Sequence, residues 1–210
     1  MDTTVPGIYC PFARQWKPQM PTRGHFPSNY PLGAIVHFTA GRPGTGAISY
    51  GTKMGFAYWY IDKDGSLYQT HDLNRWGYHA GKSHWPSLGD SVSSRLLGIE
   101  IANGGSLTKD SSGKFKTWFG VEVQPDAVRT THKGDGYTNP GYFEKYTDAQ
   151  EASLIRLLLW LKKGSPDHFD FNLVLGHAEV SPGRKNDPSG ALSMIMPALR
   201  KALVERFAHP

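Results

Sequence analysis

Three side chains in this sequence have the chemistry to hold a hydrolytic metal ion: His37, His177 and Asp187. His37 sits near the end of the short apolar, β-branched run Ala34-Ile35-Val36-His37-Phe38-Thr39. His177 directly follows the run Phe171-Asn172-Leu173-Val174-Leu175-Gly176, and Asp187 comes ten residues later. Zinc accepts imidazole nitrogen and carboxylate oxygen readily, and its catalytic sites use three protein ligands with water in the fourth position. Two histidines and one aspartate leave the ion enough net charge to acidify that water. Spacing by itself does not single these residues out, because the chain carries nine histidines and a packing or surface role is open to each.

Glu100 and Lys185 are the next candidates. Glu100 interrupts the otherwise apolar run Leu96-Leu97-Gly98-Ile99-Glu100-Ile101-Ala102. Charged residues are rarely buried without a partner. Glu100 is therefore either a general base tuned by burial and a neighbouring charge or a residue on the solvent side of an alternating strand. Lys185 stands two residues before Asp187. An ammonium there could stabilise the oxyanion formed when water attacks an amide carbonyl; the other reading is a solvated loop lysine. The single cysteine, Cys10, rules out an intrachain disulfide and is read as a packed or surface thiol.

The elements that must position these residues are short apolar runs closed by turn residues. Ala34 to Thr39, followed by Gly41 and Pro43, reads as a buried strand. Phe56 to Ile61 is a second strand, and Asp62-Lys63-Asp64-Gly65 turns it into Ser66 to Thr70, a hairpin signature. The run from Leu96 stops at Asn103-Gly104-Gly105, and residues 105–146 are polar and turn-rich, a long loop excursion with one short hairpin. Thr147-Asp148-Ala149-Gln150 is a capping box. It opens a helix with Leu154, Ile155, Leu158, Leu159 and Leu161 on its apolar face, ending at Lys162-Lys163-Gly164. Residues 171–176 are the last strand, and a final helix runs through Leu199, Ala202, Leu203 and Phe207 with Pro197 at its start or at a kink. The fold class is α/β, a mixed central β-sheet flanked by helices.

Five segments, taken together, resemble the successive motifs of type 2 N-acetylmuramoyl-L-alanine amidases, the relatives of phage lysozyme-amidases and peptidoglycan recognition proteins. They are Ile35 to Ala40, Tyr60 to Gly65, Tyr78-His79-Ala80-Gly81, Leu97-Gly98-Ile99-Glu100 and Gly176 to Pro188. The likeness covers residues 32 to 195 in the family's order, and His177 to Pro188 is its most specific stretch. The resemblance implies a single amidase-like domain at 32–210 with an N-terminal arm, 1–31, packed on it. It implies Zn2+ as cofactor with His37, His177 and Asp187 as ligands, Glu100 as the catalytic carboxylate and Lys185 as the transition-state lysine. It also implies His79 as a histidine lining the substrate groove, or else one that orders a loop through backbone bonds. The family usually has a histidine before its hairpin turn, where this chain has Ala57-Tyr58-Trp59-Tyr60; Tyr58 is carried as a substrate-groove residue.

Bulk properties bound the partners. The 210 residues suit one domain, and 39% hydrophobic with 20% charged residues is a globular composition. A net charge of +5 and a pI near 9.2 favour polyanions. No basic run interleaved with aromatics points to nucleic acid. No apolar stretch approaches the roughly 18 residues of a membrane span. The N-terminus has no signal-peptide pattern. The sequence reading is therefore a monomeric protein made in the cytoplasm that acts on peptidoglycan, cutting the amide between the lactyl group of N-acetylmuramic acid and L-alanine. A lytic endolysin released by a holin is favoured. The competing readings are a peptidoglycan-binding module without catalysis, a cytoplasmic amidase recycling anhydro-muropeptides, and a secreted antibacterial effector.

Overall fold

The computed structural model describes residues 9–209, so the first eight residues of the expected N-terminal arm lie outside the described residues. In chain order the first elements are strands β1 (Arg14–Gln15), β2 (Gly24–His25) and β3 (Gly33–Phe38), then helix α1 (Gly46–Met54). Strands β4 (Trp59–Ile61), β5 (Leu67–Gln69), β6 (Arg75–Trp76), β7 (His84–Trp85), β8 (Gly89–Asp90) and β9 (Leu96–Ile101) follow. Next come β10 (Ser106–Lys109), β11 (Phe115–Lys116), β12 (Glu122–Val123), β13 (Val128–Thr131) and β14 (Gly141–Glu144). The chain closes with α2 (Asp148–Gly164), β15 (Val174–Gly176), α3 (His177–Val180) and α4 (Met196–Ala208). No helix among the described residues is long and apolar enough to cross a membrane.

The main sheet has the order β1-β5-β4-β9-β3-β15. It is mixed: β4 and β5 form the antiparallel hairpin, while β4, β9, β3 and β15 run parallel. Every residue of β3 and β15 is buried, as expected for parallel strands covered on both faces. Val36, Phe38, Ile99 and Ile101 point to one face, where they pack with Leu154, Leu157, Leu158, Leu161, Leu199 and Leu203 of α2 and α4. Ile35, Leu96 and Leu175 point to the other face with Ala80, Val92 and Val180. Fully burying each such side chain is worth about 1.5–3 kcal/mol.

Helix α2 starts where the capping box places it. The Thr147 hydroxyl accepts from the Gln150 N–H, and the Gln150 side chain accepts from the Thr147 N–H. Its buried face is Leu154, Leu157, Leu158 and Leu161, with Ile155 and Leu159 only partly buried. Leu157 thus rotates the core stripe slightly from the one read off the sequence. Residues 171–173 form a 3-10 turn rather than strand, so β15 holds only the last three residues of its run.

Two regions depart further from the sequence reading. Helix α1 buries only Ile48 and Gly51 and contains two glycines. Gly51 is there for a reason: any Cβ at this position would collide with the Tyr58 hydroxyl. The excursion at 105–146 holds more than one short hairpin: between its turns it forms a second, five-stranded antiparallel sheet, β12-β11-β10-β14-β13. Its strands are short and mostly half-buried or exposed, with at most one fully buried residue each, so they lack the alternating apolar signal. Phe143 of β14 is fully buried and joins the main core, which fastens the excursion to the domain. Cys10 is packed in that core, where burial pushes its thiol up to about 11 and leaves it inert.

Candidate metal centre and its cavity

The register of three parallel strands brings the site together. His37 of β3 is paired with Glu100 of β9, and Gly176 of β15 is paired with Val36. The next residue on the β15 side is His177, so Glu100, His37 and His177 lie side by side where the strands end. Carboxyl ends of parallel strands are the usual place for a site in an α/β sheet. Asp187 is brought back to them by the turn after α3, where its carbonyl accepts from the Ala178 N–H at 2.8 Å.

Three ligand atoms converge. His37 Nδ1 lies 2.8 Å from His177 Nδ1 and 3.1 Å from Asp187 Oδ2, and His177 Nδ1 lies 2.9 Å from the same oxygen. All three residues are buried, and they form a group able to hold a metal ion. Hydrogen-bond bookkeeping fixes the tautomers. The Leu96 carbonyl, 2.9 Å from His79 Nε2, needs a proton there, so His79 Nδ1 is an acceptor. His37 Nε2, 3.0 Å from that Nδ1, must donate, which leaves His37 Nδ1 as a bare lone pair. His177 Nε2 likewise donates to the Ala80 carbonyl at 2.9 Å. Arg184 also approaches that nitrogen, at 3.4 Å, but its guanidinium makes shorter bonds to the Ala80 and Lys82 carbonyls and the Ser181 hydroxyl. Two imidazole lone pairs and a carboxylate oxygen therefore face one another with no proton among them. Such a trio is repulsive alone and fits a cation between its members.

Burial, reinforced by the charge His177 can carry, depresses His37 to about 4, so its imidazole is neutral at pH 7 and available as a ligand. His79 is held well below its ordinary value, chiefly by burial and then by His37. His79 reaches His37 because residue 98 is glycine: a Cβ there would stand 2.6 Å from the His79 ring.

A cavity of about 430 Å³ opens over the trio and is lined by Glu100, Lys185, His79 and Tyr58 as well. Among the described residues Glu100 Oε2 is buried with no hydrogen-bond partner. Burial first, then the charge of Asp187, raises its carboxyl to about 8, while the Lys185 ammonium pulls the other way. Lys185 makes no ion pair among the described residues. Tyr58 contributes its ring, since its hydroxyl donates to the Ala47 carbonyl at 2.5 Å. All seven residues singled out in the sequence thus share one cavity. Sequence reasoning did not single out Gly98 or Arg184, and it assigned no metal-facing contact to His79. Nothing local marks those roles, because each is defined by a partner on a distant segment.

Comparison with known proteins gives a family and a fold. A family model described as N-acetylmuramoyl-L-alanine amidase matches residues 27–190. No curated protein matches the chain. Among solved structures, a selenomethionine derivative of AmpD shares 18% identity at a TM-score of 0.61, with 95% of this chain and 98% of that one covered. LysC from Clostridium intestinale, an N-acetylmuramoyl-L-alanine amidase, shares 17% at 0.56, covering 93% and 99%. AmiD from E. coli, solved with anhydro-N-acetylmuramic acid-L-Ala-D-gamma-Glu-L-Lys, shares 20% at 0.53; 83% of this chain is covered, and the match spans 56% of AmiD's length.

Proposed function

The chain belongs to the N-acetylmuramoyl-L-alanine amidase family, and we propose that it is a zinc-dependent member that cuts the amide between the muramoyl lactyl group and L-alanine in intact cell-wall peptidoglycan. The observation that carries the zinc assignment is the convergence of three lone pairs, His37 Nδ1, His177 Nδ1 and Asp187 Oδ2, with every outward ring nitrogen already committed as a donor. Zinc held there would supply a Lewis acid that acidifies water and polarises a carbonyl.

The chain's own residues do the rest. Glu100 Oε2, buried without a protein partner, accepts the proton of the attacking water and returns it to the leaving nitrogen of L-alanine. A carboxyl raised towards neutrality suits both duties. The unpaired Lys185 ammonium stabilises the oxyanion as the carbonyl becomes tetrahedral. His79 positions His37 and fixes its tautomer rather than touching substrate, and the Tyr58 ring forms part of the wall. The basic surface charge and the aromatic residues around the cavity favour a polymeric, anionic wall as substrate and a lytic, endolysin-like role.

Mass spectrometry of purified peptidoglycan digested by the zinc-loaded protein, beside a chelated control, tests this reading. Free stem peptides beginning at L-alanine should appear, vanish on chelation and return with zinc. A zinc-loaded protein that pellets with the wall and releases nothing would make it a binding module. Cleavage confined to small anhydro-muropeptides would make it a recycling enzyme.

A further inference from the structure

The exposed aromatic side chains are not scattered. Among the described residues they are Tyr9, Tyr50, Phe56, Tyr78 and Trp118, and all but Tyr9 line the metal cavity or a cleft beside it. Exposed apolar surface gathered in this way marks a binding site. The cleft on one side, about 580 Å³, is walled by Tyr50, Phe56, Tyr58 and Trp118. It shares Phe56, Tyr58 and Glu100 with the metal cavity, so the two are continuous. Trp118, at the turn between β11 and β12, is 75% exposed yet held in place. Its indole N–H donates to the Ala40 carbonyl at 2.6 Å, and Phe119 packs edge-on at 5.4 Å. With its polar atom already satisfied, what Trp118 offers a ligand is its ring.

The scissile amide has a glycan on one side and a stem peptide on the other. A stem peptide carries carboxylates and calls for cations. Those lie elsewhere: Arg184 and Lys185 in the metal cavity, and Lys82 in the cleft walled by Trp76 and Tyr78. Among the described residues the Trp118 cleft has one cation, Arg42, whose guanidinium lies 5.3 Å over the Phe119 ring. Saccharide rings are amphipathic and N-acetylglucosamine carries no charge; their C–H faces suit an aromatic wall with a few backbone polar groups.

We propose that the cleft between Trp118 and Tyr50 is a glycan subsite, taking the sugar next to the cleaved muramoyl residue against the indole ring, while the basic side takes the stem peptide. This rests on the amidase reading for its place in the reaction, but sugar binding itself requires neither zinc nor turnover. Calorimetric titration of the full chain with an N-acetylglucosamine tetrasaccharide, with and without zinc, tests it. Trp118→Ala should weaken binding roughly tenfold, the loss of one well-packed aromatic contact. Trp118→Phe should restore most of it, and Tyr78→Ala should leave it unchanged. On substrates, Trp118→Ala should lower kcat/KM roughly tenfold for a multi-sugar strand and leave a single muramoyl-peptide unaffected. Equal sugar binding by wild type and Trp118→Ala, or equal loss on both substrates, would overturn the subsite. Trp118-dependent binding without any cleavage would keep the subsite and defeat the amidase reading instead.

Discussion

The six-stranded and five-stranded sheets are built from different kinds of sequence and present different kinds of surface. In the first, β3 and β15 are buried along their whole length and β9 is buried except at Glu100. In the second, β10 has a single buried residue, Leu107, and its surroundings carry the exposed ion pair Lys114–Glu122 and the half-buried pair Lys116–Asp110. A polar residue in the first sheet displaces apolar packing and so needs a compensating role. His37 and Glu100 have one, because register delivers both to a single cavity. Most polar residues of the second are half-buried or exposed, with Thr131 the buried exception, and there an isolated ion pair contributes little. The contrast puts the proposed chemistry on the mixed sheet and gives reach to the antiparallel one, whose hairpin carries Trp118 to the cleft.

The largest effect expected under this division is on turnover. Glu100→Gln should retain its zinc by metal analysis and lose about 10²–10⁴ of its rate; a variant near full rate would move the chemistry away from β9. Next is a test of whether the two sheets form one cooperative unit. Phe143→Ala, which empties the contact between excursion and core, should lower the stability of the whole chain by about 3–5 kcal/mol in denaturant unfolding. An unchanged main transition would make the excursion a separate module.

Acid should act on the mixed sheet's side of the molecule. His71, next to Thr70 beyond β5, is lowered from 6.5 to about 4, first by burial. The folded state keeps it neutral while the unfolded chain takes up a proton, so its contribution is intact above pH 6.5 and is lost as pH falls towards 4. The full loss is on the order of 3 kcal/mol. Unfolding midpoints of wild type and His71→Asn at pH 7 and 4.5 read it directly, and parallel losses in the two proteins would discard His71 as the cause. His37 and His79 shift the same way in the metal-free protein, so the difference between the two proteins, rather than pH alone, isolates His71. The smallest expected change concerns His79. His79→Ala should weaken zinc binding by about 10–100-fold in a chelator competition without unfolding the chain. Unchanged zinc affinity would return His79 to the substrate groove.

Much of this molecule is legible along the chain. The buried runs of β3, β9 and β15 are written in β-branched and leucine residues, and α2 announces itself through Thr147, Gln150 and its leucines. The spacing of His177, Lys185 and Asp187, read with the motifs around His37, His79 and Glu100, carries the family resemblance and the ligand set. These are patterns in which each residue's neighbours in sequence are also its neighbours in space.

What the chain could not disclose by itself is every feature that depends on segments meeting. His37 and His177 are 140 positions apart, and only the pairing of β3 with β15 sets them 2.8 Å from each other. Gly98 reads as a weak point in a strand until His79 is seen to occupy the space of its missing side chain. The tautomers that aim three lone pairs at one point depend on the carbonyls of Leu96 and Ala80, groups with no signature in the residue types. Helix α1 and the second sheet escaped because they bury few residues of their own and are fastened by docking, through Gly51 under Tyr58 and Phe143 in the core. Local pattern pointed to the buried strands, to α2 and to the residue types able to do chemistry; tertiary packing decided the remaining elements and which of those residues share a cavity, because proximity between distant segments is a property of register and packing and not of composition.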